Sequence, residues 1–512
     1  MIYKDNEASY TVYLSCGTNK DMNVSQENRT LTSLLVFLTV AALAISVSSC
    51  DSAVKPESFS ELTPENTLSS ESGLNSTLMS AYAEFQLNGW IGKSILNVEE
   101  WSTDIEWETG GGENRTAVQM NNFNWNASTG WLNFMWSEMY NAIRNANIVL
   151  ENIESVEIDE DLRSRVRAEA KFIRAVSYVR LYFWYGPVPL RTSTQQELEI
   201  PRASEDELLT FIESELQSSI SDLPEYGSEP GYGRAHKPAA RAHLTKFYLN
   251  TKQWQKAADM ANTIIQSGNF ELYPDFVDMF KVGNEKNSSY IWVHPATTNQ
   301  GNLYVNGAFP PGFKRDPETG YTWTSSMNNW AAQYRLKDSF YNSFEQGDKR
   351  RMPILEEYVN QNGETVSLMG NDNTRTLKFF DPSASANNHG NDIPDIRYAD
   401  ILLSRAEALN ELDGPNQTSI DLINMVRNRA GLDDVELSDF SSKSDLRSHI
   451  LKKRGWEFYS ERKRRQDLIR HGKYIEFAQD QGKTNAQPFH RRFSIPQSAM
   501  DSNPTLEQNE GY

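Results

Sequence analysis

Between Trp131 and Glu154 the apolar side chains recur every three or four residues: Leu132, Met135, Trp136, Met139, Ile143, Ala146, Leu150 and Ile153. That spacing draws one stripe down a helix and predicts an element with a single buried face. The same rhythm runs from residue 160 until Gly186 and Pro187 stop it. Ser204 and Glu207 stand at capping-box spacing and open a third helix. Residues 237–268 then predict two amphipathic helices around a short polar turn at Asn250 to Lys252. There Leu244, Tyr248, Trp254, Ala257 and Ala261 approximate the helix-turn-helix spacing of a tetratricopeptide repeat, whose small residues let paired helices approach closely. Residues 395–432 repeat the plan with a turn at Asp413 to Asn416, and 446–474 read as a basic amphipathic helix. The predicted class is mainly α: tetratricopeptide-like helix pairs form a scaffold that carries a loop-rich face and a few short strands.

The rhythm fails in two places, 90–131 and 270–394, where Gly, Asn, Pro and aromatic residues take over. Loops over a rigid scaffold are where binding residues concentrate. Of the twelve tryptophans, six lie between Trp90 and Trp136, and Trp292, Trp323 and Trp330 lie in the second segment. A sugar ring offers an apolar face of C–H groups ringed by hydroxyls. Flat aromatic side chains bury that face, and nearby amides take the hydroxyls. Trp125 in "MNNFNWN" and Trp323 in "TGYTWTSSMNNW" have that company, so the expected ligand contacts are Trp107, Trp125, Asn126, Tyr304, Tyr321, Trp323 and Trp330. Trp131 and Trp136 belong to a helix stripe and are expected in the core, with Trp254 and Trp456.

Charge narrows the partners. The 512 residues carry a formal charge of -19, which repels phosphate backbones and argues against nucleic acid. Mean hydropathy of -0.62 fits a soluble body. One uncharged apolar run, Leu34 to Val47, falls short of the ~20 residues that span a bilayer and suits the core of a secretory signal. It ends in Ser48, Ser49 and Cys50, the spacing of a bacterial lipobox. The expected organisation is a leader over 1–49, acylation at Cys50 and a polar tether over 50–72. The folded body then occupies 73–512, divided into 73–269, the loop-rich ligand face 270–394 and a helical part 395–512. Cys16 would leave with the leader, so the mature body would hold no free thiol.

Catalytic constellations are not apparent. Glu99, Glu100, Asp104 and Glu106 are close in sequence, as an acid and nucleophile pair could be, but proximity does not set the separation a glycosidase needs; a solvated acidic loop is expected instead. The seven histidines lack zinc spacing, and "GNDNT" and "NNHGND" read as turns rather than calcium loops. No metal or cofactor is expected. In the run "KKRGWEFYSERKRR" the arginines are expected to pair with acidic neighbours.

Several longer stretches resemble the SusD/RagB family: "AEAKFIRAVSYVRLYFWYGPVPL", "PDIRYADILLSRAEALNEL", "ILKKRGWEFYSERKRRQDLIRHGKY", "IPQSAMDSNPTLEQNEGY" and the early "YNAIRNANIVLENI". They are spread from about Asn75 to Tyr512. The resemblance implies a non-catalytic lipoprotein on the outer face of the outer membrane. It implies capture of oligosaccharide or polysaccharide, in some branches peptide, for a SusC-like TonB-dependent transporter. A secreted glycoside hydrolase is the remaining alternative.

Overall fold

The computed structural model describes residues 68–512 apart from 88, 110, 111, 298, 299, 332 and 333. The leader, Cys50 and most of the tether lie outside the described residues. Helices dominate. The first, Glu71–Phe85, opens on the Ser70 side chain, which accepts from the Gly73 N–H. It packs on Gly130–Asn152, which packs on Glu160–Tyr185. Glu205–Asp222, Lys237–Asn250, Trp254–Gln266, Tyr398–Asp413 and Gln417–Arg429 follow, each packed on the next.

The Ser204 start and the Gly186 stop act where the pattern placed them, and Asp159 supplies a further cap. Asp159 and Ser204 cap their helices through the N–H groups of Leu162 and Glu207, and Gly186 closes its helix at φ +76°. The two repeat-like pairs break at residues 251–253 and 414–416. Ala239, Ala240, Ala257, Ala258 and Ala261 are buried where the first pair meets its neighbours. No helix among the described residues is long and apolar enough to cross a membrane.

The 270–394 segment forms short strands, as expected. One of them, Tyr290–His294, pairs antiparallel with Ile393–Arg397 and ties the segment to the scaffold. Two expectations need correction. The 90–131 stretch is more helical than predicted: Gly89–Glu100 and Asn114–Asn121 are helices. The basic segment is not one helix. Lys443–Phe458 ends, Ser460 and Arg462 take φ of 59° and 60°, and Arg464–Arg470 starts anew. The break is held from outside, because the Arg462 N–H donates to Glu100 Oε1 at 2.7 Å and the Ser460 hydroxyl bonds to Glu106.

Of the arginines in the run 452–465, Arg454 and Arg464 pair with acids as expected, whereas Arg462 and Arg465 bond backbone carbonyls, and the run's own Glu457 and Glu461 pair with arginines from elsewhere. Arg397 reaches Glu461 and Glu457, each at 2.8 Å, and Arg429 and Arg350 close on Glu457 at 2.5 and 3.4 Å. Arg454 meets Asp467 at 2.8 Å, and Arg470 clasps Glu407 at 2.5 Å. These side chains are buried, and the surrounding cations hold the carboxyls of Glu457, Glu407 and Asp467 below the usual carboxylate range despite burial, which opposes it.

Candidate functional site

The most exposed tryptophan is Trp90, with 57% of its surface open. It stands in the first turn of Gly89–Glu100. That turn is tight: a Cβ on Gly92 would lie 1.5 Å from the Leu87 carbonyl oxygen, so only glycine fits. The Trp90 ring stacks on Trp330, centroids 5.5 Å apart and planes 10° from parallel. Trp330 arrives from the loop-rich segment and is pinned there. Its indole N–H donates to Asn387 Oδ1 at 2.9 Å, and its backbone N–H to the Asn306 carbonyl at 3.0 Å.

Lys93, one turn after Trp90, holds the pair from beneath. Its Nζ lies 4.6 Å from the Trp90 ring centre and 5.3 Å from those of Trp131 and Trp330. Burial pulls its ammonium down, and Glu108 opposes this. Glu113, in direct contact with Lys93, also favours the charged form. Glu113 accepts from the Tyr334 hydroxyl at 2.7 Å as well. Tyr334 fits because residue 307 is glycine, whose Cβ would strike the ring at 2.3 Å.

Beside this platform lies a cleft of about 450 Å³ whose wall includes Trp101, Trp107, Glu108, Asn121, Lys337 and Asp372. Trp101 joins the two regions, with its ring 5.3 Å from Trp131. Trp107 is half-buried on the short strand Glu106–Glu108, which pairs with Tyr334–Leu336 and sets Trp107 opposite Arg335. Its N–H donates to the Asp372 carbonyl at 2.7 Å, and the Arg335 guanidinium lies 5.3 Å from its ring. Three buried polar atoms of the wall have no partner among the described residues: Trp101 Nε1, Glu108 Oε2 and Asn121 Oδ1. Such atoms are costly to leave unpaired; they lie behind the wall's surface rather than on it. Burial pushes Glu108 up to about 8, against the pull of Lys93 and Arg335.

The structure brings Trp330 into the platform and Trp107 into the cleft. Other expected contacts lie elsewhere. Trp125 is 2% exposed, gives its N–H to the Tyr512 hydroxyl at 2.6 Å and packs on His490 and Phe493; it is core, not a ligand contact. Tyr304 is equally enclosed, 5.3 Å from the Tyr334 ring, with its hydroxyl 3.2 Å from Glu106. Asn126 is exposed but spends its Oδ1 on the Ser128 N–H, in the turn before Gly130–Asn152. Tyr321 stacks on Phe380 at 4.6 Å, and Trp323 is half-buried; among the described residues no ring contact links either to the platform.

The acidic stretch is neither a solvated loop nor an open carboxylate pair. Glu99 accepts from Trp184 at 2.9 Å, Glu100 from the Arg462 backbone, and Asp104 from both ends of Arg464 at 2.7 and 2.6 Å. Glu106, pushed up to about 7 by burial, bonds to Ser460 and Tyr304. These acids were expected in water because their own stretch is polar. Their partners come from far along the chain, those of Glu100 and Asp104 from about 360 residues away, beyond the reach of local pattern. Trp90 was missed because it opens a helix rather than sitting in a polar loop; the flanking Gly89 and Gly92 and the Lys93 spacing were the available signal.

The described residues form a scaffold of paired helices that carries a loop-rich face with aromatic side chains. Comparison with known proteins places that architecture in a family. A family model described as "SusD family" matches residues 247–512, and one described as "Starch-binding associating with outer membrane" matches 54–249. The chain belongs to the SusD/RagB family. A SusD-like protein of Formosa agariphila is 29% identical over 74% of this chain and 79% of its own length. The starch-binding protein SusD of Bacteroides thetaiotaomicron is 23% identical over 82% and 85%. Among solved structures, a laminarin-binding SusD-like protein superposes with a TM-score of 0.75 at 24% identity, covering 86% of this chain and all of the other. Surface glycan-binding protein A of Bacteroides thetaiotaomicron, in complex with laminarihexaose, gives 0.72 at 18%, covering 86% and 99%. At these identities the likeness establishes the shared fold.

Proposed function

We propose that this chain is a non-catalytic glycan receptor, held by a lipid on Cys50 at the cell-surface side of the outer membrane, that hands its ligand to a SusC-like TonB-dependent transporter. The Trp90–Trp330 stack carries the reading. Two parallel indoles, one of them largely open to solvent, form a flat apolar shelf, and the lining of the adjoining cleft includes polar side chains such as Asn122 and Lys483 that suit hydroxyls. The names of the laminarin-binding relative and of the laminarihexaose complex support a glycan as the ligand class. Stacking of a base on an aromatic is worth about 1–3 kcal/mol. On that scale Trp90→Ala weakens binding of a laminarin-type oligosaccharide roughly ten- to a hundredfold in calorimetric titration, with little change in melting temperature. Unchanged affinity removes the platform from the reading. The anchor has its own test: Cys50→Ala releases the protein from the membrane fraction of cells, and retention there as before removes the anchor.

A further inference from the structure

A second cleft, of about 440 Å³, opens where the outer face of Gly130–Asn152 meets the irregular segment 187–203 and the short helix Gln497–Ser502. Its wall includes Trp136 and Tyr140, one helical turn apart, with ring centres at 5.0 Å. Trp136 was expected in the core from its stripe. It is 8% exposed, and its indole N–H has no partner among the described residues, yet it is not among the buried unpaired atoms, so it is open to the cleft. The Tyr140 hydroxyl is fixed on the Pro189 carbonyl at 2.8 Å, which holds the ring still. Arg144 continues the same stripe one turn on, is exposed, and has no hydrogen-bond or ion-pair partner among the described residues; the Asn141 side chain is equally free.

Charge sets this cleft apart. In a chain of net charge -19 its lining residues include two arginines and no aspartate or glutamate. Arg191 is committed, since its Nη1 donates to the Glu197 carbonyl at 2.9 Å and Nη2 to that of Leu198. Glu151, further along the same helix, accepts from the Thr194 backbone N–H at 2.6 Å. Among the described lining residues Arg144 is thus the free cation. An aromatic floor, an open indole N–H, a free amide and one unpaired guanidinium fork are the groups that take a sugar ring bearing an anion.

We infer that this cleft is a second carbohydrate site, selective for a sugar residue that carries a carboxylate or a sulfate. The inference rests on the glycan reading above for its ligand class, and on Arg144, Asn141, Tyr140 and Trp136 for its place and charge preference. Two separated sites on one body raise the apparent affinity for a long polysaccharide that spans both, without any new contact.

The test uses the mature chain in which Trp90 and Trp330 are both changed to alanine, so that the platform is removed. It is titrated with a galacturonate oligosaccharide, a sulfated galactan oligosaccharide and laminarihexaose. At least one anionic probe binds, laminarihexaose does not, and adding Arg144→Ala weakens that binding about tenfold or more, the worth of one charge-assisted hydrogen-bonded pair. The carboxylated and sulfated arms show which anion is preferred. Arg144 is exposed, so its loss does not threaten the fold. Binding that survives Arg144→Ala unchanged, or no binding of either anionic probe, overturns the second site. If the parent protein still binds laminarihexaose through Trp90 in those cases, the platform reading stands while the second site falls. If the parent binds none of the three, both fall.

Discussion

Two regions treat buried charge in opposite ways. Around the Arg350–Glu457–Arg397–Glu461 cluster each carboxylate faces two or more cations, and the acids are held low. Around Lys93 and Glu108 the acids are pushed up, and buried polar atoms stand without partners among the described residues. The first arrangement fixes helices against one another. The second leaves buried polar atoms unspent behind the cleft wall. Paired charge and unpaired polar atoms occupy separate parts of one body.

The largest expected effect comes from breaking the first region. Glu457→Ala leaves Arg397, Arg429 and Arg350 facing one another without their shared anion and costs about 3–5 kcal/mol in denaturant unfolding. A loss under about 1 kcal/mol means the cluster is not what holds these helices. Next comes a pair of tryptophans. Trp125→Ala removes a core ring and lowers stability by about 3–5 kcal/mol with glycan affinity intact, whereas Trp90→Ala does the reverse. Equal behaviour of the two in melting and titration would erase the distinction between the regions.

The smallest effect is a pH dependence. Glu108 and Glu106 hold protons up to about 8 and 7 that the unfolded chain releases near 4.5. Their stabilising contribution is full below that value and is lost as pH rises through the folded one. Glu457 and Glu407, held low, contribute above the unfolded value and lose it as pH falls. The contribution carried by Glu108 therefore falls as pH rises toward 8. Glu108→Gln flattens the accompanying decline in melting temperature by about 1–2 °C. A decline as steep in the variant as in the parent shows that Glu108 does not contribute.

Much of the scaffold was legible because helices announce themselves locally. Apolar stripes, the Ser204 cap and the Gly186 stop all act within a few residues. The site was less so. Trp125 lies in a run as polar as any binding loop, yet the hydroxyl that receives its N–H belongs to Tyr512, 387 residues on. The helix break at Ser460 is set by Glu100 and Glu106, more than 350 residues earlier. Whether a ring is enclosed or open depends on what the rest of the chain lays over it, and periodicity carries no record of that.

Photophysics offers a consequence of the Trp90–Trp330 stack. Of twelve tryptophans, Trp90 alone is exposed; the others are buried or half-buried. A soluble collisional quencher therefore reaches Trp90 first, and a ring laid on the shelf shields it. The protein carries its own optical gauge of occupancy, readable without a label.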